Sequence, residues 1–226
     1  VFPADARIMV WNGGLWDWLD PATVLRALAL LHREDDSWRL VFAGTVRPSH
    51  REQMTAADEA RRLADELGLG ASGAVHFRSG WTPYEERASL LLECDVGVSA
   101  HRATLESRFA YRARMLDFLW TRLPIVSTDG DDWSTRIAGE GLGEVAPAGD
   151  PEAFAAAVRR VAESGREEYV EALAAAAAAQ TWSQAAEPLA RLVETLSSPA
   201  RRALDPARTF YGLRHSAVAL AGRARR

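Results

Sequence analysis

The chain has 226 residues, of which 48% are hydrophobic and 26% are charged, and its formal net charge at pH 7 is −4. This length allows one large domain with a sizeable core, and the slightly acidic charge gives no reason to expect a nucleic-acid partner. No apolar run reaches the ~20 residues that a transmembrane helix needs. The single cysteine, Cys94, excludes an intrachain disulfide and a cysteine-based zinc site, and its apolar neighbours predict a thiol packed in the core.

Short runs rich in Val and Ile alternate with amphipathic segments over the first 162 residues. Runs that are apolar on both sides are typical of strands buried on both faces of a parallel sheet. Regular alternation of strands and helices therefore predicts an α/β fold with a doubly wound, parallel, six-stranded sheet. The predicted strands are residues 7–12, 38–44, 74–79, 95–100, 123–128 and 143–147.

Local capping signals mark where the intervening helices begin. Asp20-Pro21 and Asp150-Pro151 each place a capping carboxylate before a first-turn proline. Thr82-Pro83-Tyr84-Glu85 has the pattern of a capping box. The predicted helices are residues 21–31, 51–67, 83–93, 109–121, 133–139 and 151–162.

Beyond residue 162 the pattern predicts helices only. Residues 167–180 include an alanine run, and residues 182–196 form an amphipathic helical pattern. From residue 200 the chain carries seven arginines against one aspartate. We therefore predict a Rossmann-like domain over 1–198 and a basic helical tail over 199–226. Two interpretations of the tail stay open: it docks on protein or lies solvated, or it lies as an amphipathic helix on an anionic membrane surface.

Ligands of open parallel sheets bind beyond the carboxyl ends of the strands, so the loops there are candidate sites. The first loop reads NGGLWDWLDP from residue 12. Gly13 and Gly14 let backbone approach a ligand closely, and the N–H groups that begin the next helix favour an anion. The loop matches neither the dinucleotide fingerprint nor a phosphate-binding loop with lysine. A simple tight turn remains the alternative, and Trp16 and Trp18 either wall a cleft or pack behind it.

The second and third loops offer weaker signals. Arg47 follows the second strand and could meet an anion or be solvated. Gly80 and Trp81 precede a helix, and an aromatic ring beside a glycine suits a nucleobase. A tryptophan that packs on the helix start is the alternative for Trp81.

The fourth loop carries the highest density of charge. On the predicted helix Arg108 and Arg112 would share one face, where they would repel unless an anion lay between them. An arginine pair near a helix N-terminus suits a diphosphate. Asp117 lies three residues after Arg114 and could form a salt bridge with it, and a charged solvated face is the alternative for the whole group. The candidate residues between the strand end and the helix are His101, Glu106, Arg108, Arg112 and Arg114.

Five motifs occur in the order NGGLWDWLDP, FAGTVRP, WTPYEER, HRATLESRF and RARMLDFLW. Together they resemble the C-terminal, donor-binding half of bacterial GT-B-fold glycosyltransferases of the retaining family four type. The resemblance extends over residues 7–196. It implies a fold of two Rossmann-like halves, of which this chain would be the second, with a nucleotide-diphosphate sugar as donor.

The resemblance also implies roles for single residues. Glu106 corresponds to the first motif glutamate and would contact the donor sugar, and Arg112 would neutralise the diphosphate, helped by Arg108 or Arg114. Asp117 stands where a second glutamate usually holds the ribose, although it is one methylene shorter and eleven rather than eight residues from Glu106. The donor-binding positions implied are Gly13, Gly14, Leu15, Arg47, Gly80, Trp81, His101, Arg108, Arg114 and Asp117.

Fixed cationic donors can stabilise a nucleotide-diphosphate leaving group without a metal ion or another cofactor. The resemblance implies a cytoplasmic enzyme, or one at the inner face of the plasma membrane, that glycosylates a cell-surface polysaccharide or lipid-linked acceptor. We expect this chain to bind donor but to transfer little sugar without the N-terminal half. A sugar-nucleotide epimerase or hydrolase of the same architecture is the alternative enzyme, and a phosphate-binding interaction module is the non-catalytic one.

Overall fold

The computed structural model describes residues 2–45, 55–80 and 82–195. All strand pairs in this part of the chain are parallel, and the six strands form one sheet of order β3-β2-β1-β4-β5-β6. This confirms the predicted doubly wound sheet, with the strand order reversing between β1 and β4. The strands are β1 Arg7–Trp11, β2 Trp38–Phe42, β3 Val75–Phe77, β4 Val96–Ser99, β5 Ile125–Thr128 and β6 Gly143–Ala146.

The helices flank the sheet in two groups that pack among themselves: α1 contacts α2 and α7, whereas α5 contacts α3 and α8. None of the helices in the described ranges is long and apolar enough to cross a bilayer. Their bounds are α1 Pro21–Glu34, α2 Thr55–Glu66, α3 Tyr84–Leu92, α4 Leu105–Phe109, α5 Arg114–Thr121, α6 Asp132–Glu140, α7 Pro151–Ser164, α8 Val170–Ala178 and α9 Trp182–Thr195, with a 3₁₀ turn at Arg166–Tyr169.

The chain divides into two compact units, Val1–Thr181 and Trp182–Arg226. The first holds the sheet and helices α1 to α8. In the second, the structure describes helix α9. The predicted basic tail 199–226 lies outside the described residues, so its boundary and its partner stay predictions.

The core of the first unit forms where the strand residues are buried on both faces. Every residue of β4 and β5 is buried, as expected for central strands covered by helices. Cys94 is 3% exposed, and its thiol donates to the carbonyl of Leu90 at 3.1 Å. Burial raises the pKa of Cys94 to about 12, which confirms the prediction of a packed, unreactive thiol.

Two of the three predicted caps are confirmed. The carboxylates of Asp20 and Asp150 accept from the backbone N–H of Thr23 at 3.2 Å and of Ala153 at 2.9 Å. The predicted capping box at Thr82 is wrong. Its hydroxyl donates instead to the carbonyl of Ala43 at 3.2 Å, and α3 begins after Pro83 without a side-chain cap.

The predicted continuous helix over 109–121 is also wrong. Helix α4 ends at Phe109, Ala110 turns to extended backbone with ψ of 122°, and α5 begins only at Arg114. Arg108 and Arg112 therefore share no helix face, and the diphosphate clamp expected from that pair has no geometric basis. Within the break, the side chain of Arg112 is buried.

Candidate functional site

A cleft of about 510 Å³ opens where the strand order reverses, at the carboxyl ends of β1 and β2. We call it the switch-point cleft. Its position is the one at which open parallel sheets bind ligands. Backbone and side chains line it from four places: Asn12, Gly13, Trp16 and Trp18 after β1, Ala43 and Gly44 after β2, Thr82 and Arg87 near the start of α3, and residues 111–114, 116 and 117.

Two glycines let the loops after β1 and β2 come together at this cleft. Gly13 has a φ of +94°, in the left-handed region that favours glycine. A Cβ on Gly44 would lie 3.1 Å from the carbonyl carbon of Gly13, closer than a side chain tolerates without movement of the loop. The floor of the cleft is therefore backbone, as the sequence predicted for Gly13.

Arg114 is the cation at this floor. Its Nη2 donates to the carbonyl of Gly14 at 3.2 Å, and its guanidinium lies 5.2 Å from the ring centre of Trp11. Its Nη1 is buried without a hydrogen-bond partner, and no carboxylate of the described residues forms an ion pair with it. Burial and the nearby charge of Arg112 lower the pKa of Arg114 to about 9. At neutral pH the cleft thus contains a positive charge without a counter-ion among the residues that the structure describes.

Helix α5 adds a second source of positive potential. Its N-cap, Ala113, provides no side-chain hydrogen bond, and Ala113, Arg114, Leu116 and Asp117 all line the cleft. The N–H groups of Ala113, Met115 and Leu116 already donate to backbone carbonyls at 3.1 Å, so this terminus contributes mainly the positive end of the helix dipole. The N-terminus of α1, which the sequence suggested for this role, does not line the switch-point cleft, because residues 12–18 intervene and Asp20 caps that helix.

Arg112 has a different environment, although it also borders the cleft. Its guanidinium donates to the hydroxyls of Ser99 at 2.9 Å and Ser127 at 3.0 Å. Its Nη2 lies 2.6 Å from Oδ2 of Asp131, and these two side chains are 0% and 1% exposed. Its charge is therefore balanced inside the protein. The prediction that Arg112 neutralises a diphosphate stays a prediction, with a buried ion pair as a competing use of the same guanidinium.

Asp117 takes part in a polar contact across the cleft. Its Oδ2 accepts from the side-chain amide of Asn12 at 2.6 Å and pairs with Nη1 of Arg87 at 3.1 Å. The predicted salt bridge between Asp117 and Arg114 is therefore wrong, since Asp117 turns to α3 instead. Asn12, Arg87 and Asp117 form a hydrogen-bonded group beside the Arg114 guanidinium.

The remaining residues of the fourth loop lie elsewhere. His101 is 1% exposed, its Nδ1 lies 2.6 Å from the hydroxyl of Thr128, and its pKa is lowered mainly by burial and then by Arg112. Glu106 and Arg108 are exposed on the short helix α4, and neither lines the switch-point cleft. Arg108 instead borders a second cleft of about 570 Å³ with Tyr111 and residues 130–135.

Four further predicted residues lie away from the lining of the cleft or fall outside the described part. Leu15 is 1% exposed and belongs to the core. Gly80 is exposed and does not line the switch-point cleft. Arg47 and Trp81 lie outside the described residues, so their predicted contacts with phosphate and base stay predictions.

Sequence reasoning missed Asn12, Arg87 and Asp131 as site residues. Asn12 carried a usable signal, because it is the first residue after β1 at the edge where ligands bind. Arg87 lies in the quoted WTPYEER motif, but only the packing of α3 against α5 brings it to Asp117. Asp131 caps α6, and its second contact with Arg112 had no signal in the sequence.

Within residues 2–45, 55–80 and 82–195, no group of three or more His, Cys, Asp and Glu side chains is arranged to hold a metal ion. Metal-independence of the chemistry stays a prediction. The site as described can bind an anion at Arg114 and offer Asn12 and Asp117 to hydroxyl groups of the same ligand.

The family model of glycosyl transferases group 1 matches residues 6–164. Among solved structures, sucrose-phosphate synthase from Thermosynechococcus elongatus superposes with a TM-score of 0.70 at 18% identity, over 86% of this chain and 46% of its own. Anabaena Alr3699/HepE in complex with UDP superposes with a TM-score of 0.67 at 15% identity, over 85% of this chain and 50% of its own. The C-terminal domain of LpcC, a glycosyl transferase group 1 protein from Francisella tularensis, superposes with a TM-score of 0.59 at 14% identity. The superposition covers 76% of this chain and 83% of that domain.

At these identities the structural likeness concerns the fold, and this chain spans about half the length of the first two structures. A comparison with curated protein sequences finds no match. The family match covers well over half of the chain, and the fold agrees with it. The chain thus belongs to the group 1 glycosyl transferases and has the fold of a C-terminal GT-B domain.

Proposed function

We propose that this chain is the nucleotide-sugar-binding domain of a glycosyltransferase, with the donor diphosphate in the switch-point cleft. The observation that carries the proposal is the Arg114 guanidinium, which is charged, largely surrounded by protein and without a carboxylate partner among the described residues. A buried cation without a counter-ion is unfavourable in the free protein, so a bound anion would relieve that cost. The backbone of Gly13 and the open N-terminus of α5 favour the same charge.

This arrangement fits the main electrostatic task of sugar transfer. When the anomeric bond breaks, negative charge grows on the nucleotide-diphosphate leaving group. Donors that are already in place stabilise that charge without reorganisation during the reaction. Arg114, together with the positive end of the α5 dipole, would serve this purpose, while Asn12 and Asp117 would hold the ribose hydroxyls. The contact of Glu106 with the transferred sugar, and retention of anomeric configuration, rest on the family resemblance.

The UDP complex of the Anabaena structure supports a nucleotide diphosphate as the ligand class. We further propose that the acceptor is a cell-surface polysaccharide or a lipid-linked saccharide, handled in the cytoplasm or at the inner face of the plasma membrane. Because the chain spans about half of the two longer structures, we expect donor binding from this chain and little transferase activity without an N-terminal half.

Calorimetric titration with UDP, GDP, dTDP and ADP tests the proposal. We expect one base to bind best, and Arg114→Met to weaken that binding ~10- to 100-fold, the effect of losing a hydrogen-bonded charge. Arg136→Met is the matched control, because Arg136 pairs with Glu140 on α6 and does not line the cleft. Absence of binding by any nucleotide would overturn the proposal. Equal binding of all four and of inorganic tripolyphosphate would favour the phosphate-binding interaction module.

A further inference from the structure

Asp131 carries out two tasks with one carboxylate. Its Oδ1 accepts from the backbone N–H of Ser134 at 2.8 Å and so caps α6. Its Oδ2 lies 2.6 Å from Nη2 of Arg112, fully buried. The first contact needs only an oxygen acceptor, which an asparagine also provides. The second contact needs the negative charge.

Asp131 pairs with Arg112, which lies two residues before Arg114, the cation of the switch-point cleft. Arg112 and Arg114 flank Ala113 at the start of α5, Arg112 facing the interior and Arg114 the Gly13-Gly14 loop. The positive charge of Arg112 already acts on Arg114 with Asp131 in place. Without that carboxylate, an unbalanced buried cation would lie directly behind the cleft.

We infer that Asp131 is a positioning residue for the diphosphate site: by pairing with Arg112 it fixes residues 110–113 and leaves Arg114 as the guanidinium that meets the phosphates. The inference rests on the proposed function. It assigns the two arginines separate roles, since Arg112 holds the carboxyl ends of β4 and β5 through Ser99 and Ser127 while Arg114 contacts ligand.

Other charged groups near this pair come from each neighbouring loop. His101 follows β4, Asp20 follows β1 and Asp129 follows β5, and all three interact electrostatically in the network around His101 and Arg112. Asp117 on α5 is engaged by Arg87 from α3. Among the described residues, Asp131 is the carboxylate that forms an ion pair with Arg112. Loss of its charge therefore changes the balance at Arg112 most directly.

Asp131→Asn tests the inference, because it keeps the acceptor for Ser134 and removes only the charge. The readout is the affinity for the best-bound nucleoside diphosphate between pH 7 and 10. In the wild type we expect affinity to fall as pH rises through about 9, where Arg114 loses its proton. In Asp131→Asn the unbalanced Arg112 should move this fall ~1 pH unit lower. Ionisation of the ligand is common to all variants, so the difference between variants reports on the protein.

Asp132→Asn is the matched control, since Asp132 is the adjacent, exposed carboxylate. The double variant Arg112→Met/Asp131→Asn removes both buried charges. Because the charge of Arg112 itself lowers the pKa of Arg114, its loss should bring the fall in affinity back to the wild-type pH or above it. The double variant also tests the inference if Asp131→Asn alone does not fold. The inference would be overturned by coincident profiles for wild type and Asp131→Asn, by equal shifts in Asp131→Asn and Asp132→Asn, or by a double variant whose fall in affinity stays below the wild-type pH. Failure of the wild type to bind any nucleotide would overturn the proposed function instead.

Discussion

Arg112 and Arg114 lie two residues apart and meet opposite surroundings. Arg112 is buried, and its guanidinium donates to two hydroxyls and pairs with one carboxylate, although its Nε has no hydrogen-bond partner among the described residues. Arg114 lies at the cleft, where its guanidinium donates to the carbonyl of Gly14 and faces the ring of Trp11. The comparison teaches that a buried arginine is structural where its charge is balanced and a candidate ligand site where it is not.

The contrast between Arg112 and Arg114 is tested most directly by replacing each arginine with a neutral residue. Arg112→Met leaves the Asp131 carboxylate buried without a partner, and we expect it to lower the free energy of unfolding by about 3 to 5 kcal/mol. Arg114→Met removes an unbalanced buried cation, so its free energy of unfolding should stay within about 1 kcal/mol of the wild type or exceed it. Urea unfolding followed by circular dichroism measures both. Equal losses in the two variants would contradict the distinction.

Gly44→Ala tests the backbone floor in front of Arg114. The added methyl group would press on the Gly13 carbonyl group, and overpacking of this kind costs about 1 to 3 kcal/mol. We expect the variant to unfold at a lower temperature and to bind nucleoside diphosphate more weakly. Gly139→Ala in α6 is the control, because its Cβ meets open space and alanine favours a helix. A Gly44→Ala variant as stable as Gly139→Ala would show that the two loops are not in tight contact.

The pH dependence of the free energy of unfolding above pH 9 is a further test of the burial of Arg114. Arg114 has a folded pKa of about 9 against an ordinary 12.5, so between these values the unfolded chain binds more protons and stability rises with pH. Cys94 has a folded pKa of about 12 against 9.0, so it contributes the opposite slope. Each slope is at most about 1.4 kcal/mol per pH unit. The chain contains no lysine, which removes the usual titration in this range.

We therefore expect the two slopes to offset each other in the wild type between pH 9 and 11. In Cys94→Ala the free energy of unfolding should rise with pH, and in Arg114→Met it should fall. Urea midpoints at half-unit pH intervals give the slopes. The same slope in all three proteins would contradict both burial arguments.

The smallest effect concerns the far end of α5. Arg122 ends this helix with a φ of +52°, a left-handed conformation that costs about 1 kcal/mol in a residue with a Cβ. Arg122→Gly should raise the free energy of unfolding by about that amount, with little effect on nucleotide affinity. Arg122→Ala retains the Cβ and should gain nothing, so a matching gain in both variants would point to the charge rather than the backbone.

The doubly wound parallel sheet and most elements could be predicted from the sequence, because a buried parallel strand is a short apolar run and a capped helix has a local signature. Cys94 and the caps at Asp20 and Asp150 were predictable for the same reason. The buried environment of Arg112 was not predictable. It depends on Asp131, nineteen residues later, and on a helix break that has no signal in the local sequence. Arg87 likewise reaches Asp117 only through the packing of two helices.

The two hydroxyls that hold Arg112 belong to residues paired across neighbouring strands, Ser99 on β4 and Ser127 on β5. One planar guanidinium thus joins the ends of both strands at the point where a sheet ordinarily frays. Amide hydrogen exchange at these two strand ends should consequently be slow, close to that of the strand centres. This edge of the sheet would then owe much of its rigidity to one buried side chain.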